Sequence, residues 1–268
     1  MSFGATLRLL RIDAGISLRD LAARIGVSSA YLSRVEHGHD PAPTPDRLVA
    51  IARTLDLPAV TLLELARQTG AAVSGYMARV PAASALFLEI ARRDLPASQI
   101  ARIKAFIDSE FPERDRKRRP ARLSQMLSSQ DVVVHMSGAD IDDVINVAVS
   151  RMALGPRLRP QAVVARILER EHEAASTLGG GVAVPHAILP AAPTTMVLVT
   201  LAQPLVMDTP DGAPVELVVV LLSREGGRRH LELLASIARL ASLGMAEELC
   251  EMPSAERVLA RLEQLEAV

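Results

Sequence analysis

The twelve residues Ser176-Thr-Leu-Gly-Gly-Gly-Val-Ala-Val-Pro-His-Ala187 organise this chain. A hydroxyl pair precedes three consecutive glycines, a short apolar run, a proline and a histidine. Val182-Ala183-Val184 suits a short buried strand. Pro185 cannot donate to a sheet ladder, so it ends the run or lies at its edge. His186 is then held where the strand stops. The glycines admit positive φ and let backbone approach a ligand. Beside Ser176 and Thr177 they offer amide and hydroxyl donors suited to an anion. A neutral imidazole is a usable nucleophile. No second ligand lies at helical or strand spacing nearby, so the pattern fits a phosphorylatable histidine better than a metal ligand, and no metal or cofactor is expected. Residue type and spacing alone also admit a Gly-rich turn before a core strand, with a surface histidine after it.

Two further features fit anion chemistry. His230 follows Gly226-Gly227-Arg228-Arg229 and opens an amphipathic helix, where free amides and the helix dipole favour a phosphate. Alone, a histidine there is more often a cap. Arg170 precedes Glu171 just before the glycines, and a guanidinium matches phosphate oxygens. It also suits an exposed ion pair with Glu171 or Glu173.

The stretch resembles the active-site segment of the IIA domains of the bacterial phosphoenolpyruvate:sugar phosphotransferase system, in the fructose/mannitol/nitrogen-related class. That segment reads much like Ser-Thr-x-x-Gly-x-Gly-Ile/Val-Ala-Ile/Val-Pro-His-Gly/Ala. Gly179, Gly181, Val182, Ala183, Val184, Pro185 and His186 stand in those places. The hydroxyl pair is offset: counting back from His186, Ser176 takes the Thr place and Ala175 the Ser place. The resemblance implies that His186 accepts a phosphoryl group from the carrier protein HPr. It implies that His230 lies beside it and hydrogen-bonds the phosphoryl group or His186, and that Arg170 helps bind the same group. Ser176 or Thr177 would donate a hydroxyl to that anion or stabilise the turn. Ile188 departs from the basic or polar residue common after the motif, which bears on how HPr docks.

Composition bounds the rest. The 268 residues are enough for two domains, and 49% are hydrophobic. With no Trp, two Tyr and four Phe, the cores must be built from Leu, Val, Ile and Ala. The single cysteine, Cys250, excludes an internal disulfide, fits a cytoplasmic location, and reads as a packing residue at the end of a helix. Met1-Ser2-Phe3-Gly4 does not read as a signal peptide. No apolar run reaches membrane-spanning length, so no membrane insertion is expected. The net charge of −1 hides an asymmetry: residues 1–70 balance to +1, residues 71–122 to +5 and residues 123–268 to −7.

Residues 1–70 read as a compact bundle of about five short helices. Ser17 and Ser28 cap two of them, Gly26 turns between, and Thr44 precedes a helix with Pro45 at its first position. Leu18 to Glu36 carries helix-turn-helix logic: Ala22 lets two helices approach, while Val27, Leu32 and Val35 seal the inner face. The segment Tyr31-Leu-Ser-Arg-Val-Glu-x-Gly38 resembles the Cro/repressor-type (XRE) family. That implies a second helix in the major groove, with Ser28, Ser29, Tyr31, Ser33 and Arg34 facing operator DNA and Arg19 reaching a phosphate. Leu18 stands where the family often has Gln. Arg34 has an alternative partner in Glu residues of its own domain, and a bundle that binds protein is the bland reading.

Residues 71–122 form a helical connector and basic linker. Two amphipathic helices, about Ala82–Ala91 and Ser98–Phe111, suggest a dimer contact. Pro112 to Arg122 reads as a solvated linker. Residues 123–268 alternate strands with helices, which implies a mixed α/β sheet covered by helices, with Pro214 to Leu222 as the most apolar strand. The expected fold is therefore multi-domain, an all-α helix-turn-helix bundle followed by an α/β domain. The expected function is a DNA-binding transcriptional regulator controlled by phospho-HPr, working as a homodimer. The alternatives are a phosphotransferase component passing phosphate to a IIB domain, and an unphosphorylated protein-binding sensor.

Overall fold

The computed structural model describes residues 3–67, 69–111, 122–138, 140–156, 158–173 and 175–267. Pro112–Ala121, nearly all of the basic linker, falls outside them.

The N-terminal region is wholly helical. Helices α1 (Phe3–Asp13), α2 (Leu18–Arg24), α3 (Ser29–Glu36), α4 (Pro45–Thr54) and α5 (Ala59–Leu65) form the expected five-helix bundle. Ser17 Oγ accepts from the Asp20 amide and Ser28 Oγ from the Tyr31 amide, each at 3.1 Å, satisfying donors that a helix start leaves open. Thr44 makes no such bond; Pro45 alone sets that start. Leu7, Leu10, Leu21, Leu32, Ile51 and Leu62 fill the interior. The Arg11 guanidinium clamps Glu36 with two bonds of 2.6 and 2.7 Å and donates a third to the Ile16 carbonyl, tying α1 to the end of α3.

Three helices follow, α6 (Thr69–Arg79), α7 (Pro81–Arg92) and α8 (Ala97–Glu110). The first was not anticipated, because Gly70 and Gly75 weaken its pattern. Leu86, Phe87, Leu88, Phe106 and Ile107 on α7 and α8 are exposed. These side chains are not core within one chain.

The C-terminal region is a mixed sheet with helices on both faces. Its strands are β1 (Val132–Met136), β2 (Thr177–Gly179), β3 (Val182–Ala183), β4 (His186–Ile188), β5 (Thr195–Leu205) and β6 (Val215–Ser223). Helices α9 (Ile141–Arg151) and α10 (Pro160–Glu173) precede β2; α11 (Arg228–Ser242), α12 (Met245–Cys250) and α13 (Ala255–Ala267) follow β6. The sheet order is β1-β5-β6-β3-β2, and β4 also pairs with β6. Strand β5 runs antiparallel to β6; β3 and β4 run parallel to it. Strand alternation assigns β6 to two cores. Leu217, Val219 and Leu221 join the layer of α11–α13 and the N-terminal bundle. Val218, Val220 and Leu222 join α9 and α10.

In the histidine motif, β3 stops at Ala183, and Pro185 lies in the break between β3 and β4. Both strands pair with β6, and the Pro185 carbonyl accepts from the Leu221 amide at 3.0 Å. Proline lacks only the donor, so its carbonyl still serves the ladder. His186 therefore follows one short strand and begins the next. Cys250 closes α12 and donates its thiol to the Glu216 carbonyl.

Because β6 supplies both cores, Leu217→Ala is expected to cost about 3 kcal/mol, read as a lower urea midpoint with an unchanged slope in the full chain.

Candidate functional site

Four side chains from distant parts of the chain meet at the C-terminal end of β6. His186, first residue of β4, pairs in register with Leu221. His230 lies in the first turn of α11, and its Nδ1 is 2.8 Å from Ser223 Oγ, at the end of β6. The two imidazoles are buried, with ring centroids 5.5 Å apart. Arg170 comes from the last turn of α10. The fourth residue is Asp13, the last residue of α1 in the helix-turn-helix bundle.

Asp13 joins the other three. Its Oδ1 is 3.1 Å from His186 Nε2 and 3.7 Å from His230 Nε2. Its Oδ2 accepts from Arg170 Nη2 at 3.1 Å. The Asp13 side chain is only 4% exposed and that of Arg170 11%. Burial by itself would raise the Asp13 pKa. The hydrogen bond from His186, the nearby His230 imidazole, and the charges of His186 and Arg170 outweigh it and hold the carboxyl far below the usual carboxylate range.

The hydrogen bonds constrain the His186 ring. Nδ1 lies 2.7 Å from the Val184 carbonyl, which only accepts, so Nδ1 carries a proton. With Nδ1–H on Val184, the bond to the Asp13 carboxylate needs a second proton on Nε2, so the ring that makes both bonds is the imidazolium; without that proton, Nε2 carries the lone pair. His230 Nε2 is buried with no hydrogen-bond partner. It is aimed at the same carboxylate, beyond bonding distance. Together, two imidazole nitrogens and a guanidinium converge on one anionic group.

Sequence spacing offered no second metal ligand near His186, but the fold brings one set together. The ligand atoms of Asp13, His186 and His230 lie within 4.8 Å of one another. Two neutral imidazoles and a carboxylate are a donor set that binds zinc. Arg170 on the same carboxylate adds a positive charge that disfavours a cation and favours an anion.

The other expected site residues lie elsewhere. Ser176 Oγ donates to Glu171, which also accepts from the Ser176 amide at 2.9 Å. Thr177 Oγ1 donates to the Asp208 carbonyl at 2.9 Å. Neither hydroxyl donates into the histidine site here. Gly179, Gly180 and Gly181 all have positive φ and make the tight β2–β3 turn. The Gly180 amide donates to Asp211 Oδ2 at 2.7 Å. Gly181 lies beside Leu217 and His186 beside Leu221, four positions apart along β6 and so about 13 Å. The glycines shape the hairpin rather than cradle a ligand at His186.

In the bundle, Arg19, Ser28, Ser29 and Arg34 are exposed, and Tyr31 and Ser33 are half-buried. Arg34 pairs with Asp40 at 3.0 Å rather than with a Glu; Glu36 is held by Arg11. Arg47 lies over the Tyr31 ring at 5.4 Å.

Two residues of the site escape a reading by sequence. Ser223 carries no signal beyond its place after an apolar run. Asp13 carries a weak one: an acid at a helix C-terminus opposes the macrodipole, which suggests a compensating cation elsewhere.

Comparison with known proteins gives the family of each region. Residues 125–264, just over half of the chain, match the family "Phosphoenolpyruvate-dependent sugar phosphotransferase system, EIIA 2". The chain belongs to this family. Residues 2–65 match a helix-turn-helix domain family. The Nitrogen regulatory protein of Pseudomonas aeruginosa is 31% identical over 143 residues, 50% of this chain and 90% of that protein. The Nitrogen regulatory protein of Bradyrhizobium diazoefficiens is 43% identical over 82 residues, 30% of this chain and 54% of that protein, so the match spans about half of that relative's length. The HTH-type transcriptional repressor RghR of Bacillus subtilis is 39% identical over 57 residues, 21% of this chain and 42% of that protein. This EIIA 2 family member thus carries a helix-turn-helix domain ahead of its IIA domain. No helix among the described residues is long and apolar enough to cross a membrane.

Glu171 holds the start of the histidine motif through Ser176, which is readily tested. Glu171→Ala leaves the buried Ser176 donors unpaired and should cost about 1–3 kcal/mol, whereas Glu171→Gln, which keeps one acceptor, should lose less. Chemical denaturation of both variants checks this order.

Proposed function

We propose that the chain is a cytoplasmic DNA-binding transcriptional regulator whose state is set by phosphorylation of His186 from phospho-HPr. Residues 1–70 bind operator DNA, residues 71–122 connect and dimerise, and residues 123–268 receive the phosphoryl group. The observation that carries this reading is the convergence of His186 Nε2, His230 Nε2 and Arg170 on one carboxylate. A site built for an anion beside a nucleophilic nitrogen suits phosphoryl transfer.

The chemistry follows from the hydrogen bonds. The Val184 carbonyl keeps the proton on Nδ1, so the Nε2 lone pair attacks phosphorus. The bond from phosphorus to the donor's nitrogen breaks, and that nitrogen keeps the electron pair. Arg170 and the His230 Nε2 proton stabilise charge on the phosphoryl oxygens, as fixed donors do best in a water-poor site. Ser223 sets the orientation of His230.

On the DNA side, Ser28, Ser29, Tyr31, Ser33 and Arg34 meet the major groove and Arg19 a phosphate. Arg34 is half exposed in its pair with Asp40, and exposed ion pairs are weak, so it is available to a base edge. The apolar side chains of α7 and α8 left to water support a dimer, since single chains rarely expose such a patch. A dimer would span half-sites about 34 Å apart.

Two measurements test this. With enzyme I, HPr and labelled phosphoenolpyruvate, wild type should take up label and His186→Ala none. A wild type that stays unlabelled points instead to a sensor, and onward transfer to a IIB domain to a carrier. Separately, Phe87→Glu with Phe106→Glu should shift the full chain from dimer to monomer mass by light scattering and weaken binding to a two-half-site operator. An unchanged mass would remove α7 and α8 as the dimer contact.

A further inference from the structure

Three ion contacts across the seam between the helix-turn-helix bundle and the IIA domain share one polarity. Three acids from the bundle face three arginines from the IIA domain: Asp13 with Arg170 at 3.1 Å, Asp56 with Arg228 at 3.9 Å, and Glu64 with Arg239 at 3.9 Å. Helices α1 and α5 pack on α11, and α1 also meets β2. Apolar residues of both regions form one continuous core, with Leu7, Leu10, Leu62 and Leu65 in the same cluster as Leu231, Leu234 and Ile237. A cleft of about 370 Å³ along this seam is lined by Arg8, Ile12 and His37 from the bundle and by Ala175, Thr177 and Asp208 from the other side. The end of the recognition helix therefore borders the IIA surface.

Within that seam Asp13 has a particular shape and charge. A carboxylate presents two anionic oxygens about 2 Å apart on one carbon, as a phosphoryl group presents three on one phosphorus. One Asp13 oxygen faces both Nε2 atoms, and the other accepts from Arg170. His186 is 1% exposed while Asp13 is there. A phosphoryl group on Nε2 would need the space that this carboxylate fills.

We infer that Asp13 is an internal phosphoryl surrogate: the helix-turn-helix bundle docks on the IIA site through it, and docking and phosphorylation of His186 exclude each other. This rests on the reading of His186 as a phosphoryl acceptor. In the docked state the Nε2 lone pair is blocked. Either it is protonated toward Asp13, or it faces a negative carboxylate through which no anionic donor can pass. Once the bundle lifts, Nε2 attacks phosphorus, the donor bond breaks and the leaving group carries away the electron pair. The phosphoryl oxygens then take the places of Oδ1 and Oδ2 on His230 and Arg170. Two anions cannot share that site, so the phosphorylated domain no longer accepts the bundle. The input is a phosphoryl group and the output is a freed DNA-binding domain.

The test uses the full chain and a small donor, phosphoramidate, so that HPr docking is not involved. Asp13→Asn keeps the shape of the side chain and removes its charge; Asp13→Glu keeps the charge. Phosphohistidine is followed by phosphorus NMR, with His186→Ala as the blank. Hydrogen exchange reports α1, α5 and α11. Asp13→Asn should be phosphorylated at least 10-fold faster than wild type, and Asp13→Glu no more than a few-fold faster. Phosphorylated wild type should lose exchange protection at the seam while the sheet keeps its own. Equal rates for wild type and Asp13→Asn, unchanged protection after phosphorylation, or no labelling of any form would overturn the inference. Labelling by phosphoramidate with the expected order, but none from phospho-HPr, would sustain it and instead remove HPr as the donor.

Discussion

Both imidazoles are placed by one strand. Strand β6 is buried on both faces, and its alternating side chains join two separate cores. A one-residue slip would send every side chain to the wrong layer. That rigidity is passed directly to the site, because Leu221 pairs with His186 and Ser223 contacts His230. His186 and His230 thus sit two residues apart in register although 44 positions separate them in the chain. Phosphoryl transfer needs donors fixed before the charge arrives, and a central strand fixes positions better than a loop would.

The same site explains a local rule that the bundle breaks. Asp13 closes α1 where the helix dipole is negative, and it is buried, so both effects oppose its charge. Neither is offset within the bundle's own described contacts at that point. The compensation comes from Arg170, His186 and His230, all of them in the IIA domain. A buried ion pair is weak evidence for net stability, but it is strong on specificity, since removing the cations leaves a stranded acid. The Arg11–Glu36 clamp differs, since both partners lie in the bundle and hold α1 to α3 whether or not the IIA domain is near.

Much of this architecture was legible in the sequence because its signals are local. Caps at Ser17 and Ser28, the apolar run of β6 and the Pro185-His186 step each identify one element within a few residues. The motif resemblance then placed His186, His230 and Arg170 together, and the fold does bring them together. What was not legible is long-range. The three-residue strands β2 and β4 have no periodicity to detect. The hydroxyls of Ser176 and Thr177 were open to several partners, and Glu171 and the Asp208 carbonyl took them. Asp13 lies 173 positions from His186, and no spacing rule connects an N-terminal helix end to a strand edge in another domain. The apolar faces of α7 and α8 read the same in sequence whether they pack inward or against a second chain.

The magnitudes decide whether such a seam could act as a switch. Two unit charges about 4 Å apart repel by about 1 kcal/mol in water and about 4 kcal/mol at the dielectric usual near protein surfaces. A phosphoryl group brings roughly 1.5 to 2 negative charges, and it takes over the cations that had offset Asp13. Moving a two-state equilibrium from 1:99 to 99:1 needs about 5.5 kcal/mol, which is within reach of those terms combined. The seam also holds apolar packing of α1 and α5 on α11, so the charge terms act on top of that contact. Its three acid–arginine contacts include two at 3.9 Å and one short, buried pair beside His186. Concentrating the charge coupling at the reacting nitrogen, and leaving the peripheral pairs long, is the arrangement in which one phosphoryl group can outweigh the contact that it displaces.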